Sequence, residues 1–233
     1  MPRRPPRKPP ADLDLSQHLL QLRDLAVPLD PTSLFPESLP VDLEVGSGKG
    51  MFLAAATAAQ PTQNYLGIEV SGGYARLAAG KLAAVGCPNG RVIHGDAMQL
   101  VSSLLPDQCL SGVHVYFPDP WWKARHRKRR ILNPVFLAHA ARLLPPDGRL
   151  HIWTDVEEYF QEAVAATAAT GRFGPPAEEL PGGPDSDYRT HFERRTRLAG
   201  DPVWRAVFRR NELPAAVARL DPPAASPDLP AAE

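Results

Sequence analysis

Residues 41–50 read Val41-Asp42-Leu43-Glu44-Val45-Gly46-Ser47-Gly48-Lys49-Gly50. The apolar run predicts a strand, and the glycines after it predict a sharp turn that a ligand can approach closely. Met51 to Ala59 then reads as a helix, so the stretch opens a βα unit. Outward from it, short apolar runs keep alternating with longer amphipathic stretches as far as Trp153, the pattern of a mostly parallel sheet. Strands are expected at 65–70, 91–94, 113–117 and 149–153, with helices over about 71–85, 134–144 and from Asp155 to about Thr167. Asn133 and Pro134 supply the cap and first residue of the second of these helices. Val203 to Arg209 alternates apolar with polar residues and fits a late antiparallel strand, while 171–189, rich in Gly and Pro, reads as an irregular insert.

Composition bounds what surrounds this core. Of 27 prolines, nine fall in residues 1–40 and five in 214–233, which excludes continuous regular structure at the two ends. We read residues 1–12 as a basic, proline-rich arm, 13–213 as one domain with its core at 41–210, and 214–233 as a disordered Ala/Pro-rich tail. The arm has positive charge but no apolar run behind it, so a secretory signal is not expected. No window approaches the roughly 18 apolar residues of a membrane span. The two cysteines, Cys87 and Cys109, form no close-spaced metal or redox motif. A cytoplasmic protein without a metal, a monomer or a homodimer, is the expectation. Formal net charge is zero, yet six positive charges fall within the eight residues Lys123 to Arg130.

Ligands of open α/β sheets bind outside the C-terminal strand ends, where the strand order reverses. That rule puts Gly46, Gly48, Gly50, Glu69, Asp96 and Asp119 along one edge. A dinucleotide fingerprint needs G-x-G-x-x-G, but position 51 is Met51 and the glycines fall at 46, 48 and 50. This spacing favours S-adenosylmethionine, whose ribose hydroxyls, adenine amino group and ammonium all donate to carboxylates. Glu69 is placed for the ribose, Asp96 for the adenine, and Glu44 for the ammonium of the methionine part.

Phe117-Pro118-Asp119-Pro120-Trp121-Trp122 follows the fourth of the predicted strands, at the place where a transferring methyl group would lie. The prolines restrict the backbone on both sides of Asp119, and the tryptophans offer faces to a base. With the basic run immediately downstream, the pattern suits a nucleic-acid methyltransferase. A Rossmann-type methyltransferase acting on another RNA, a small molecule or a protein is the alternative, and an RNA-binding module without activity is a second.

Taken together, 43–50, Leu66-Gly67-Ile68-Glu69, Gly95-Asp96-Ala97, 117–126 with Lys128-Arg129-Arg130, Thr154-Asp155 and Thr190-His191-Phe192-Glu193 resemble the bacterial tRNA (guanine-N7-)-methyltransferases. The resemblance covers about residues 41–210 in the right order. It implies a Rossmann-like class I S-adenosylmethionine-dependent fold, a mostly parallel seven-stranded sheet with helices on both faces, and methylation of guanine 46 in the variable loop of tRNA. Carried over by residue, it implies a cofactor site of Glu44, Glu69, Asp96 and Asp119, with Asp119 also catalytic. It implies substrate contacts from Lys123, Asp155, Thr190, His191, Phe192 and Glu193, and tRNA contacts from Arg125, Arg127, Lys128, Arg129 and Arg130. Trp122 stands where relatives often carry His or Pro.

Overall fold

The computed structural model describes residues 13–177 and 190–212, so the arm, the tail and 178–189 of the insert lie outside the described residues. Seven strands form one sheet: β1 (Leu19–Gln21), β2 (Val41–Val45), β3 (Asn64–Glu69), β4 (Gly90–His94), β5 (Gly112–Tyr116), β6 (Arg149–Thr154) and β7 (Trp204–Arg209). Their order is β1-β4-β3-β2-β5-β6-β7, and every neighbouring pair is parallel except β6 with β7. The expected seven-stranded α/β architecture is therefore observed.

The helices are α1 (Met51–Ala59), α2 (Gly72–Val85), α3 (Ala97–Gln99, continued by a π-turn through Leu104), α4 (Pro134–Leu143), α5 (Glu157–Ala169) and α6 (His191–Leu198). Successive strand residues point to opposite faces, which divides the core in two. Val41, Leu43, Val45, Val113, Val115, Leu150 and Ile152 pack with α4 and α5 residues such as Phe136, Leu137, Tyr159 and Ala163. Tyr65, Tyr116 and Trp153 pack on the other face with Phe52 and Leu53 of α1 and Ala75, Ala78, Ala79 and Leu82 of α2. Burial on both faces explains why the central strands read as near-continuous apolar runs.

The alanines of α2 let α1 start close beside it. Gly50, at φ +68°, precedes α1, and a side chain there would bring a Cβ to within 2.6 Å of the Ala78 Cβ. Only glycine satisfies both the left-handed backbone and the contact. Asn133 accepts from the Phe136 N–H at 3.0 Å and Pro134 opens α4, as the sequence led us to expect. The start of the insert is not wholly irregular: Phe173 bridges to Arg210 and Ala177 to Val207, extending the sheet edge. No helix among the described residues is long and apolar enough to cross a membrane.

Candidate active site

The chain builds from β2 outward through β3 and β4, then crosses to β5 and β6 on the other side. The reversal point is the crevice between the C-terminal ends of β2 and β5. Strand pairing sets Val45 opposite both Ile68 and Val115, Glu69 opposite His94, and Tyr116 opposite Trp153. The glycine turn 46–50, Glu69, Asp96, the loop 117–122 and Asp155 are thus all carried to one edge, because each directly follows or closes a parallel strand.

On the cofactor side, Glu44 and Glu69 share a sheet face, since Glu44 pairs with Gly67, two residues before Glu69. Gly67 is required there: a Cβ would come within 2.5 Å of Leu53 Cδ1 and 2.7 Å of Ser47 Oγ. Glu69 is buried and accepts from the Gly48 and Ser71 N–H groups, both at 2.8 Å, so it fixes the glycine turn. A carboxylate offers about four lone-pair sites, and the two that remain can accept from a pair of hydroxyls. Glu44 is buried too, but its Oε2 has no hydrogen-bond partner among the described residues. Burial first, and then the Glu69 carboxylate, push the Glu44 carboxyl up to about 8 against the pull of Lys81. A ligand cation would relieve this position by favouring the charged carboxylate.

Space is available for such a ligand. Nothing lies within 4 Å of where a Gly46 side chain would stand. Asp96 is exposed and uses Oδ1 to cap α3 through the Gln99 N–H at 2.9 Å. His94 was not singled out in the sequence. It lies beside Glu69 in register, half-buried, with Nδ1 2.9 Å from Gln21 Oε1. The donor and acceptor set fits S-adenosylmethionine: hydroxyls toward Glu69, an ammonium toward Glu44, and an adenine amino group toward Asp96.

On the substrate side the backbone is strained. Phe117 and Trp121 have φ of +50° and +44°, in the region that non-glycine residues seldom adopt. The Phe117 N–H donates to Trp153 O at 2.8 Å, which anchors the entry to the loop. Asp119 stands exposed between its prolines, and no hydrogen bond holds its carboxylate among the described residues. Trp121 is half-buried, with the His126 ring edge-on at 5.8 Å and the Arg129 guanidinium 5.1 Å above it. Trp122 projects into solvent, 66% exposed.

Six residues of the basic run, Ala124–Arg129, form a short 3-10 helix. Lys123, Arg125, Lys128 and Arg129 are exposed, while Arg127 donates to Glu158 at 2.7 Å and to Glu162 at 3.3 Å. Arg130 departs from the sequence expectation, because it faces the protein interior rather than solvent. It is 5% exposed, donates through Nε to Pro120 O at 2.8 Å, pairs through Nη1 with Glu162, and lies 4.6 Å from the Tyr159 ring. The carboxylate and ring that draw it in belong to α5, far away in sequence.

A second correction concerns Thr190 and Glu193. Both are buried, and Thr190 Oγ1 accepts from the Glu193 N–H at 2.9 Å to start α6. Glu193 accepts from Arg197 at 3.3 Å and from Arg205 at 3.2 Å, which ties α6 to β7. Of the three described side chains of 190–193, Phe192 is the exposed one. Its ring is 48% exposed, 6.0 Å from and nearly parallel to Phe117, with Arg195 4.9 Å from its face. The spacing Thr-x-x-Glu is itself a capping-box signal, legible in the sequence alone. His191 is the first residue of α6, and its side chain lies outside the described residues. Lys123 is exposed beside the loop and Asp155 half-buried just past β6.

A cavity of about 550 Å³ lies at the opposite end of the strands, beside Asp42, Gln63, Ser111, His114 and His151. Its polar groups are turned on one another. Asp42 accepts from Gln63 (3.1 Å) and Ser111 (2.7 Å) through Oδ1 and meets His114 Nε2 (2.8 Å) through Oδ2, while His114 Nδ1 meets Tyr116 Oη at 2.8 Å. Burial alone would raise the Asp42 carboxyl, yet the bonds and charge of His114 and the Ser111 bond hold it below the ordinary value. Among the described residues these polar groups are thus satisfied within the protein, unlike Glu44.

A family model described as "Putative methyltransferase" matches residues 38–206. A tRNA (guanine-N(7)-)-methyltransferase of Rhodopirellula baltica is 42% identical over 218 residues, covering 90% of this chain and 80% of the relative. One of Aromatoleum aromaticum is 42% identical over 189 residues, covering 78% and 71%. Among solved structures, the 16S rRNA methyltransferase KamB superposes with a TM-score of 0.55 at 17% identity, over 74% of this chain and 88% of that one. The aminoglycoside-resistance methyltransferase NpmB1 does so at 0.53 and 18%, over 73% and 87%. At those identities the structural likeness establishes the fold alone.

Proposed function

The chain belongs to the tRNA (guanine-N(7)-)-methyltransferase family, and from that premise we propose that the loop 117–122 presents Asp119 to guanine 46 of the tRNA variable loop. The enzyme methylates guanine N7 in tRNA and depends on S-adenosylmethionine. Bound S-adenosylmethionine supplies an electrophilic methyl group on a positively charged sulfur. Glu44 would hold its ammonium, Glu69 its ribose hydroxyls and Asp96 its adenine amino group. The unpartnered Glu44 oxygen is the single observation that best supports this assignment.

Guanine N7 carries an in-plane lone pair and no proton, so no general base is needed. The protein's task is positioning, and alignment alone can lower a barrier by roughly 7–11 kcal/mol in ideal cases. Positive charge develops on the purine as N7 is methylated. A carboxylate held nearby stabilises that charge more in the transition state than in the ground state. Asp119 fills this role: it accepts from the guanine N1 and N2 hydrogens and offsets the growing charge. Lys123, Asp155 and the outward face of Phe192 line the substrate side, and the family resemblance assigns His191 to the substrate as well. Arg125, Arg127, Lys128 and Arg129 meet phosphates, where each released counterion makes binding more salt-dependent. The free thiols of Cys87 and Cys109 support a reducing, cytoplasmic setting. A monomer or a homodimer satisfies this reading.

The test uses an unmodified tRNA transcript beside one in which guanine 46 is replaced by adenine. Methyl incorporation into the first and its loss from the second is expected. Equal incorporation into both would move the target elsewhere on the tRNA.

A further inference from the structure

Asp119 has no hydrogen bond of its own among the described residues, so its position is set by the backbone around it. That backbone has left-handed residues on either side of the carboxylate, Phe117 and Trp121. Strained backbone persists only where surrounding structure over-determines it. The entry side is held by the Phe117–Trp153 hydrogen bond to β6. On the exit side Arg130 Nε donates to Pro120 O, one residue past Asp119. Arg130 is in turn gripped by Glu162 and lies against the Tyr159 ring, both from α5. Tyr159 is fully buried, and its hydroxyl accepts from the Leu132 N–H at 3.3 Å, so the grip is fixed to the core.

We propose that Arg130 is a positioning residue for methyl transfer, clamping the exit of the Asp119 loop onto α5, and not one of the arginines that bind tRNA. The inference rests on Asp119 acting as described above. Geometry separates Arg130 from its neighbours in the run: Arg129 is exposed on the Trp121 face, while Arg130 is buried with its fork divided between a backbone carbonyl and a carboxylate. Lysine, with one compact ammonium and no fork, cannot reproduce both contacts at once. Glu162 supplies the other half of the clamp and is about half exposed, so its removal threatens folding less.

The experiment measures kcat, KM for tRNA, the salt dependence of tRNA binding, and S-adenosylmethionine affinity for the full-length wild type, Arg130→Lys, Arg130→Ala, Glu162→Ala, Arg129→Ala and Asp119→Asn. Arg130→Ala is expected to lower kcat about 30-fold, Glu162→Ala about threefold, and Arg130→Lys by an intermediate amount. Arg130→Ala and Arg130→Lys should retain the wild-type salt slope, and all three variants the wild-type cofactor affinity. Arg129→Ala should instead flatten the salt slope and raise KM for tRNA. Should Arg130→Ala fail to fold, Glu162→Ala and Arg130→Lys decide the matter by the same criteria. Unchanged kcat in both of those variants, or a flattened salt slope on substituting Arg130, would overturn the inference. Retention of kcat by Asp119→Asn would instead overturn the reading of the loop on which it rests.

Discussion

The two ends of the same parallel strands are finished differently. Toward the amino-terminal end Asp42, Gln63, Ser111 and His114 bond to one another, and His114 also meets the hydroxyl of Tyr116 from the end of β5, so a polar cluster beneath α1 is complete among the described residues. At the carboxy-terminal end Glu44 keeps a buried oxygen without a partner among the described residues, and Asp119 projects without a hydrogen bond. Satisfied buried polar groups rigidify a fold, whereas incomplete ones mark where a ligand is to complete them. The sheet is thus a frame closed at one end and left open at the other.

The sharpest way to break this contrast is Asp119→Asn. The amide keeps the shape but cannot offset positive charge on the purine, and kcat should fall about 10²–10³-fold, comparable to losing one preorganised electrostatic contact. Steady-state methyl transfer checks it, and an unchanged kcat removes Asp119 from the reaction. Next in size is Glu44→Ala, expected to weaken S-adenosylmethionine binding about 30- to 100-fold by calorimetry while leaving tRNA affinity alone. The same carboxyl makes cofactor binding pH-dependent. With its pKa at about 8 in the free protein, Glu44 is mostly protonated at pH 7, and a cationic ligand favours its ionised form. Binding at pH 7 should therefore release a proton, and affinity should rise as pH approaches about 8 and fall beyond it as the ligand's own ammonium deprotonates. A flat profile would mean that no cation meets Glu44.

The closed end gives the smaller effects. His114→Ala removes a partner of Asp42 and of Tyr116, and about 1–3 kcal/mol of stability should go with it, at roughly 2–4 °C in Tm per kcal/mol. Thermal melts and kcat measured on the same sample separate the two ends, since kcat should hold. A large loss of kcat without a loss of stability would assign chemistry to the wrong end. Smallest is Arg129→Ala, expected to cost a few-fold in tRNA affinity and to reduce the salt slope by about one.

What was legible in the sequence follows the same division. The central strands were readable because burial on both faces forces continuous apolar runs, and the glycine turn because three left-handed positions sit within five residues. Asp119 stood out through its flanking prolines. β1 did not, since its three residues become a strand only by pairing with β4. α6 was missed because His191-Phe192-Glu193-Arg194-Arg195-Thr196-Arg197-Leu198 has no apolar face, and its stability comes from the Thr190 cap and the Glu193–Arg205 pair. Arg130 could not be told from Arg129, for the residues that bury it lie on α5, about 30 positions downstream. Local pattern locates strand ends, and tertiary partners decide which charges at those ends remain free.

The product of the reaction tests the central claim most directly. Unmodified tRNA is incubated with the wild-type protein and methyl-labelled S-adenosylmethionine, then digested to nucleosides and separated. All of the label should run as 7-methylguanosine, at one equivalent per tRNA. Label in any other nucleoside, or none in tRNA at all, would contradict the assignment of guanine N7 transfer to this edge of the sheet.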